Sequence, residues 1–251
     1  MEGPILPRPT GEAWAGRRDE TLRWQLTLAG LPPVEAIVFD AYGTLFDVRA
    51  VEATCRRLIA DAAAFAALWR AKQLEYAWLR TLMGAYVPFE QITAEALDYT
   101  LRRHDLTLDE AARRATLDAW LRLEPFPEVP AALARLAARP LAILSNGSPA
   151  MLQRILAHNG LEAAFRHVLS VDAVGAYKPD PRVYALAPAA LTVPAERILF
   201  VSSNPWDAVG AKAYGYGVAW CNRAGAVLDR HGPAPDLEVR ALDQLADALG
   251  R

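Results

Sequence analysis

At 251 residues and 53% hydrophobic content, the chain is long enough to bury a sizeable core, as one large domain or two smaller ones. Its net charge of −2 with 22% charged residues argues against a nucleic-acid binder, which needs a basic excess, and against an acidic disordered tail. No apolar run approaches the roughly 20 residues that span a bilayer, so no membrane partner is expected.

Cys55 and Cys221 are far apart and form no CxxC, which favours a reduced, cytoplasmic protein. His104, His158, His167 and His231 share no metal-ligand spacing. Residues 1–33 are rich in proline, glycine and charge, with one apolar patch at Leu22, Trp24, Leu26 and Leu28. They lack the apolar core of a signal peptide and read as a disordered arm or as a segment that packs on a partner subunit.

The first strand is expected at Val34–Asp40, an apolar run that delivers Asp40 into the glycine-containing loop Ala41-Tyr42-Gly43-Thr44. A carboxylate at the end of a buried strand suits nucleophilic attack on carbon or phosphorus. The plainer reading is a carboxylate that caps a turn.

Residues 48–124 carry no strand signal. They are rich in Ala, Leu and Arg, with apolar residues at helical spacing, as in the series Leu68, Leu74, Trp78, Leu79 and Leu82. Several helices inserted as a cap are expected here, with Pro125–Pro130 as the return linker. A hinged cap excludes water and adds specificity residues; the alternative is a helical extension of a single core.

Beyond the linker, strands are expected at Leu141–Ser145, Arg197–Ser202 and Gly217–Cys221, with a shorter one at Leu237–Val239. Helical patterns at Pro149–His158, Pro181–Ala190, Pro205–Tyr214 and Ala241–Leu249 separate them. Pro149 and Pro205 fit first-turn positions, where the missing amide hydrogen costs nothing. The alternation predicts an α/β fold: a Rossmann-like core, residues 34–47 and 125–251, in which a parallel sheet carries helices on both faces. Ligands in such sheets bind beyond the carboxyl ends of the strands, where Asp40, Ser145 and Ser202 are placed.

Four ordered motifs now make the sequence recognisable. Phe39-Asp40-Ala41-Tyr42-Gly43-Thr44-Leu45-Phe46-Asp47 resembles the first motif of the haloacid dehalogenase superfamily. Leu144-Ser145-Asn146-Gly147-Ser148-Pro149 resembles the second, Tyr177-Lys178-Pro179-Asp180 the third, and Phe200 through Asp207 the fourth. The last three, with Leu68 through Tyr76 in the cap, resemble the L-2-haloacid dehalogenases in particular. The resemblance runs from about residue 34 to the end.

Phosphatases of that superfamily use Mg²⁺ held by hard oxygen ligands. Their pattern places an acid two residues after the nucleophile and another early in motif four. Here those positions are Tyr42 and Ser203. A substrate with a single negative charge, a 2-haloalkanoate, fits better than a phosphomonoester, and neither metal nor organic cofactor is expected. Rival readings are a Mg²⁺-dependent phosphatase and a binding protein without turnover.

The resemblance implies Asp40 as nucleophile, and Lys178 as the ammonium that pairs with it and holds it oriented. It implies Asp207 as the group that orients or deprotonates the hydrolytic water, its geometry held by Ser202 and Asn204; helix-dipole stabilisation is the alternative for Asp207. Ser145 and Asn146 suit a substrate carboxylate at a helix N-terminus, or a simple cap, and Thr44 can do similar work beside Asp40. Arg70 is expected to receive the leaving halide. Tyr42, Leu74, Phe89 and Trp206 match positions lining the apolar pocket, although Leu74 and Phe89 also suit cap core, and Tyr184 matches a tyrosine near the lysine or a core residue. Ala71 stands where relatives can carry a glutamine, which bears on substrate range. The resemblance also implies a homodimer.

Overall fold

The computed structural model describes residues 33–228 and 230–250. Apart from Pro33, the arm expected over residues 1–33 lies outside the described residues. The centre is a six-stranded sheet: β1 (Ala36–Phe39), β2 (Leu141–Ser145), β3 (His167–Ser170), β4 (Ile198–Ser202), β5 (Gly217–Cys221) and β6 (Leu237–Val239). The spatial order is β3-β2-β1-β4-β5-β6 and every pairing is parallel. β1, β2, β4 and β5 are buried at every position, which is why they read as unbroken apolar runs rather than alternating ones.

β3 has no counterpart among the expected strands. It is an edge strand in which only Ser170 is buried, so it carries no apolar run. The helix expected over Pro181–Ala190 is two short helices, Pro181–Tyr184 and Leu186–Leu191.

The chain steps outward from β1 to β2 and β3, then returns to place β4 on the other side of β1. Strand order reverses there, and a crevice opens at the carboxyl ends of the two central strands. Asp40 follows β1 and Asn204 follows β4, so two of the chemistry-bearing motifs meet at this point of the sheet. On the β4 side the crevice is bounded by α9 (Pro205–Tyr214). On the β2 side it is bounded by α6 (Pro149–Asn159).

Between β1 and β2 the chain forms the cap: α1 (Ala50–Cys55), α2 (Ala62–Leu82), α3 (Phe89–Arg103) and α4 (Glu110–Asp118). The face of α2 that is buried is Ala62, Phe65, Trp69, Gln73 and Ala77. This is the side opposite the leucine-rich series read from the sequence; Leu79 and Leu82 are 45% and 84% exposed. Aromatic anchoring against α3 decides the face. Trp69 Nε1 donates to the Thr93 carbonyl at 2.9 Å, and Gln73 Nε2 donates to Thr93 Oγ1 at 2.9 Å. Burying the Phe65 and Trp69 rings, with the polar atoms of Trp69 and Gln73 paired, outweighs the extra leucines.

The outgoing and returning linkers run side by side. Asp47 N donates to the Glu124 carbonyl at 2.9 Å and Phe126 N to the Leu45 carbonyl at 3.0 Å. The far end of the cap is tied to the core at a second place: Tyr177 N donates to Thr81 Oγ1 at 2.9 Å, the Tyr177 hydroxyl to the Val87 carbonyl at 2.6 Å, and the Tyr86 hydroxyl to Asp172. The cap is therefore fixed over the crevice at both ends. No helix among the described residues is long and apolar enough to cross a membrane.

Candidate active site

Asp40 sits just past the last residue of β1 and is 6% exposed. Its Oδ2 accepts from Thr44 Oγ1 at 2.9 Å and from Asn204 Nδ2 at 2.9 Å. Its Oδ1 accepts from Lys178 Nζ at 3.2 Å. Donors on both oxygens prevent the carboxylate from rotating, so Asp40 is an oriented group rather than a turn cap. Thr44 is itself fixed, because its Oγ1 accepts from Ser203 N at 2.8 Å.

Lys178 is wholly buried. It arrives on the segment after β3, anchored where its backbone N donates to Asn146 Oδ1 at 3.0 Å. Its ammonium lies between Asp40 and Asp207, at 2.9 Å from Asp207 Oδ2. Burial works against that charge, but the Asp207 and Asp40 carboxylates outweigh it and raise the lysine above its ordinary 10.5. The ammonium thus serves as counter-charge to both acids at once. With Tyr42 and Ser203 at the other two acid positions, these residues do not fit Mg²⁺. Among the described residues no group of three or more His, Cys, Asp or Glu is placed to hold a metal.

Asp207 lies in the first turn of α9 and is also wholly buried. Its Oδ1 accepts from the Tyr184 hydroxyl at 2.8 Å. Burial raises its pKa to about 6; Lys178 pulls it down and Asp40 pushes it up. The sequence reading gave Ser202 and Asn204 the task of holding Asp207, and the geometry differs. Asn204 caps α9 without a side-chain cap bond because its amide goes to Asp40. Ser202 Oγ accepts from Asn204 N at 3.2 Å, and so acts on Asp40 through Asn204. Asp207 is held by Lys178 and Tyr184.

Tyr184 is therefore not part of the pocket wall, as a substrate-binding role would require. Its hydroxyl faces Asp207, and its ring packs among Phe200, Tyr214 and Tyr216. This contact depends on Gly210 in α9, which the sequence reading missed. A Cβ there would meet the Tyr184 hydroxyl at 2.6 Å and Pro179 Cβ at 2.7 Å.

The cavity above Asp40 is small and nearly filled by its own walls, and Tyr42, Ser145, Asn146 and Asn204 form its core side. Arg70, Phe89 and Trp206 close it. Ser145 Oγ accepts from Gly147 N at 3.1 Å. Neither Ser145 nor Asn146 caps α6; Ser148 does, accepting from Met151 N at 3.2 Å. Leu74, expected in the wall, is partly buried on α2 and lies outside the cavity lining. The residue it was expected to accompany, Phe89, does line the cavity.

Arg70 projects from α2 over the cavity. Its Nη1 donates to Gln73 Oε1 at 3.4 Å, and its guanidinium carbon is 5.6 Å from the centre of a Trp120 ring. Burial lowers its pKa, against the pull of Asp40 and Tyr42. A partly buried cation with one long bond to a neutral amide is ready to receive an anion. Gln73 and Trp120, which seat it, were missed by the sequence reading. A glutamine on the buried face of an amphipathic helix was the available signal.

Comparison with known proteins follows the same lines. A family model for haloacid dehalogenase-like hydrolases matches residues 34–215. The chain is 47% identical over 222 residues to (S)-2-haloacid dehalogenase H-109 of Pseudomonas putida, covering 87% of this chain and 99% of the relative. It is 50% identical over 212 residues to an (S)-2-haloacid dehalogenase of Pseudomonas sp. (strain YL), covering 83% and 91%. The structure of L-2-haloacid dehalogenase from Xanthobacter autotrophicus with chloropropionic acid covalently bound superposes with a TM-score of 0.80 at 41% identity, covering 85% of this chain and 97% of that one.

Proposed function

The chain belongs to the L-2-haloacid dehalogenases among the haloacid dehalogenase-like hydrolases, and from that premise we propose that it hydrolyses L-2-haloalkanoates to D-2-hydroxy acids through an ester on Asp40, without a metal. The observation that carries this reading is the ammonium of Lys178 between Asp40 and Asp207, with the Arg70 guanidinium across a small cavity.

An oxygen of Asp40 attacks C2 in line. The carbon–halogen bond breaks, its electron pair leaves with the halide towards Arg70, and C2 inverts. Arg70 supplies charge stabilisation that grows as the halide departs, which is the part of binding that accelerates the step. Thr44 and Asn204 hold the attacking carboxylate near its reactive geometry. The substrate carboxylate lies at the Ser145–Asn146 end, and Tyr42, Phe89 and Trp206 wall the carbon chain.

Esterification removes the charge of Asp40 and leaves Asp207 as the remaining carboxylate beside Lys178. Water attacks the Asp40 carbonyl carbon and gives one proton to Asp207, which burial keeps a stronger base than an exposed carboxylate. The acyl–oxygen bond breaks, Asp207 returns that proton to the departing alkoxide oxygen, the 2-hydroxy acid leaves, and Asp40 is restored as a carboxylate when the second water proton passes to solvent.

The same reading includes a homodimer, supported by the exposed Leu79, Leu82 and Met83 at the end of α2. A cytoplasmic setting is supported by the free, buried Cys55 and Cys221. The deciding experiment is halide release from L- and D-2-chloropropionate in EDTA, with Asp40→Asn in parallel. Release from the L form alone, lost in the variant, is expected. Folded protein that releases halide from neither form would overturn the assignment.

A further inference from the structure

Tyr42 follows Asp40 by two residues, and its side chain lines the same cavity as Arg70. Its hydroxyl is buried and has no hydrogen-bond partner among the described residues. A buried phenol without a partner costs free energy in the empty site, so an arriving acceptor is favoured. The charged groups that act on this hydroxyl are Glu90, Arg70 and Asp40. Glu90 is already engaged as acceptor for the Ser148 hydroxyl, and both oxygens of Asp40 have donors of their own.

Where the ring sits is fixed from two sides. On one side it lies against Gly147, where a Cβ would meet Tyr42 Cε2 at 2.8 Å. On the other, its centre is 6.2 Å from that of Trp120, the same indole over which Arg70 lies at 5.6 Å. Trp120 is thus a shared wall for one phenol and one guanidinium. Burial holds the phenol well above its ordinary 10, so it stays a donor.

We propose that the Tyr42 hydroxyl is a second donor to the departing halide and, with Arg70, sets which halide this enzyme releases fastest. The inference rests on the dehalogenase reading above. As the carbon–halogen bond breaks and the electron pair moves to the halogen, Tyr42 donates a hydrogen bond and keeps its proton. The contribution grows with the charge on the leaving atom, so it acts on the transition state more than on bound substrate. It also grows with acceptor strength, which falls from fluoride through chloride to bromide. The phenol therefore favours the smaller halides, where the bond to carbon is hardest to break.

The test is Tyr42→Phe, which keeps the ring against Gly147 and Trp120. The readouts are first-turnover halide release from L-2-chloro- and L-2-bromopropionate, and inhibition by chloride and bromide salts. The variant is expected to slow the chloro substrate about tenfold, the bromo substrate by less than about threefold, and to weaken chloride inhibition about fivefold. In the wild-type protein, chloride should also perturb the near-ultraviolet tyrosine signal, a change absent from the variant. If the wild type turns over but the variant has the same bromide-to-chloride ratio and chloride inhibition, the phenol is only a wall and the inference fails while the dehalogenase reading stands. If the folded wild type releases no halide at all, both fail.

Discussion

The Lys178 ammonium lies 2.9 Å from the Asp207 carboxylate, and solvent reaches neither side chain. Lys178 is 3.2 Å from Asp40, so the lysine is held slightly closer to the acid outside the cavity wall than to the acid inside it. Two carboxylates share one cation in a buried space, and burial, helped by the Asp40 charge, raises the pKa of Asp207 from 3.8 to about 6 against the pull of Lys178.

A pH dependence follows. Because its folded pKa is above 3.8, Asp207 contributes stability that is fully present below pH 3.8 and is lost as pH rises through about 6. Activity runs the other way, since the hydrolytic step needs the carboxylate; kcat should fall on the acid side of pH 6, because esterified Asp40 no longer pushes the Asp207 pKa up. Lys178 is raised above 10.5, so its own contribution to stability is present below that value and is lost only as pH rises through its higher folded pKa. The expected profile of kcat is an acid limb below pH 6 and a plateau through the ordinary lysine range. Asp207→Asn should remove the limb along with most of the activity. An acid limb that persists unchanged in the residual activity of Asp207→Asn would show that Asp207 does not govern it.

Lys178→Met tests the same cluster by removing its cation. Methionine fills a similar volume but leaves Asp40 and Asp207 as buried acids without a counter-charge. Removing one partner of a buried ion pair costs about 3–5 kcal/mol, so the melting temperature at neutral pH should fall clearly. The loss should shrink at pH 4–5, where at least one of the acids can take up a proton. Halide release should be lost at every pH. An unchanged melting temperature would mean that the lysine contributes no net stability.

Most of the sheet was legible because strands buried on both faces read as unbroken apolar runs. The edge strand β3 was not, since three of its four residues are less than fully buried. In α2, counting leucines picked out the wrong face, because Trp69 and Gln73 pair their polar atoms with Thr93 and turn that side inward. In the site, residues that touch the cavity could be placed by motif. The residues that hold them could not: Gly210 matters through a distance to Tyr184 across two helices, and Trp120 through a ring shared by Tyr42 and Arg70. Spacing along a chain does not encode such contacts.

Gln73 should prove to be a positioning residue for Arg70. It accepts from Arg70 Nη1 at 3.4 Å and donates to Thr93 Oγ1 at 2.9 Å, and Thr93 in turn donates to the carbonyl of Phe89 at 2.8 Å. Gln73→Leu keeps most of the volume and removes the link. The expected result is a fall in kcat of about tenfold with KM changed less than about threefold, and a stability loss of roughly 1–3 kcal/mol for the unmade bonds. Steady-state kinetics and thermal melts read both. A loss of stability with kcat unchanged would show that the packing of Trp120 alone seats Arg70.

Gly210→Ala separates alignment from folding. Alanine in a helix interior is favoured over glycine by about 1 kcal/mol, so the substitution gains in α9 part of what it loses by crowding. What it crowds is the support of the acid cluster: its Cβ would lie 2.6 Å from the Tyr184 hydroxyl and 2.7 Å from Pro179 Cβ, one beside Asp207 and the other next to Lys178. A displacement of about 1 Å at either place can cost roughly a hundredfold in rate. The variant should therefore melt within a few degrees of the wild type while kcat falls at least about tenfold. Tyr184→Phe in the same background relieves the contact with the hydroxyl but not the one with Pro179. Because Tyr184→Phe alone removes the bond to Asp207, the double variant is compared with that single variant. If Gly210→Ala slows the Tyr184→Phe protein as much as it slows the wild type, Pro179 and the position of Lys178 govern the loss; if it slows it less, the displaced hydroxyl does. Full activity in Gly210→Ala would show that the helix can shift without disturbing either carboxylate.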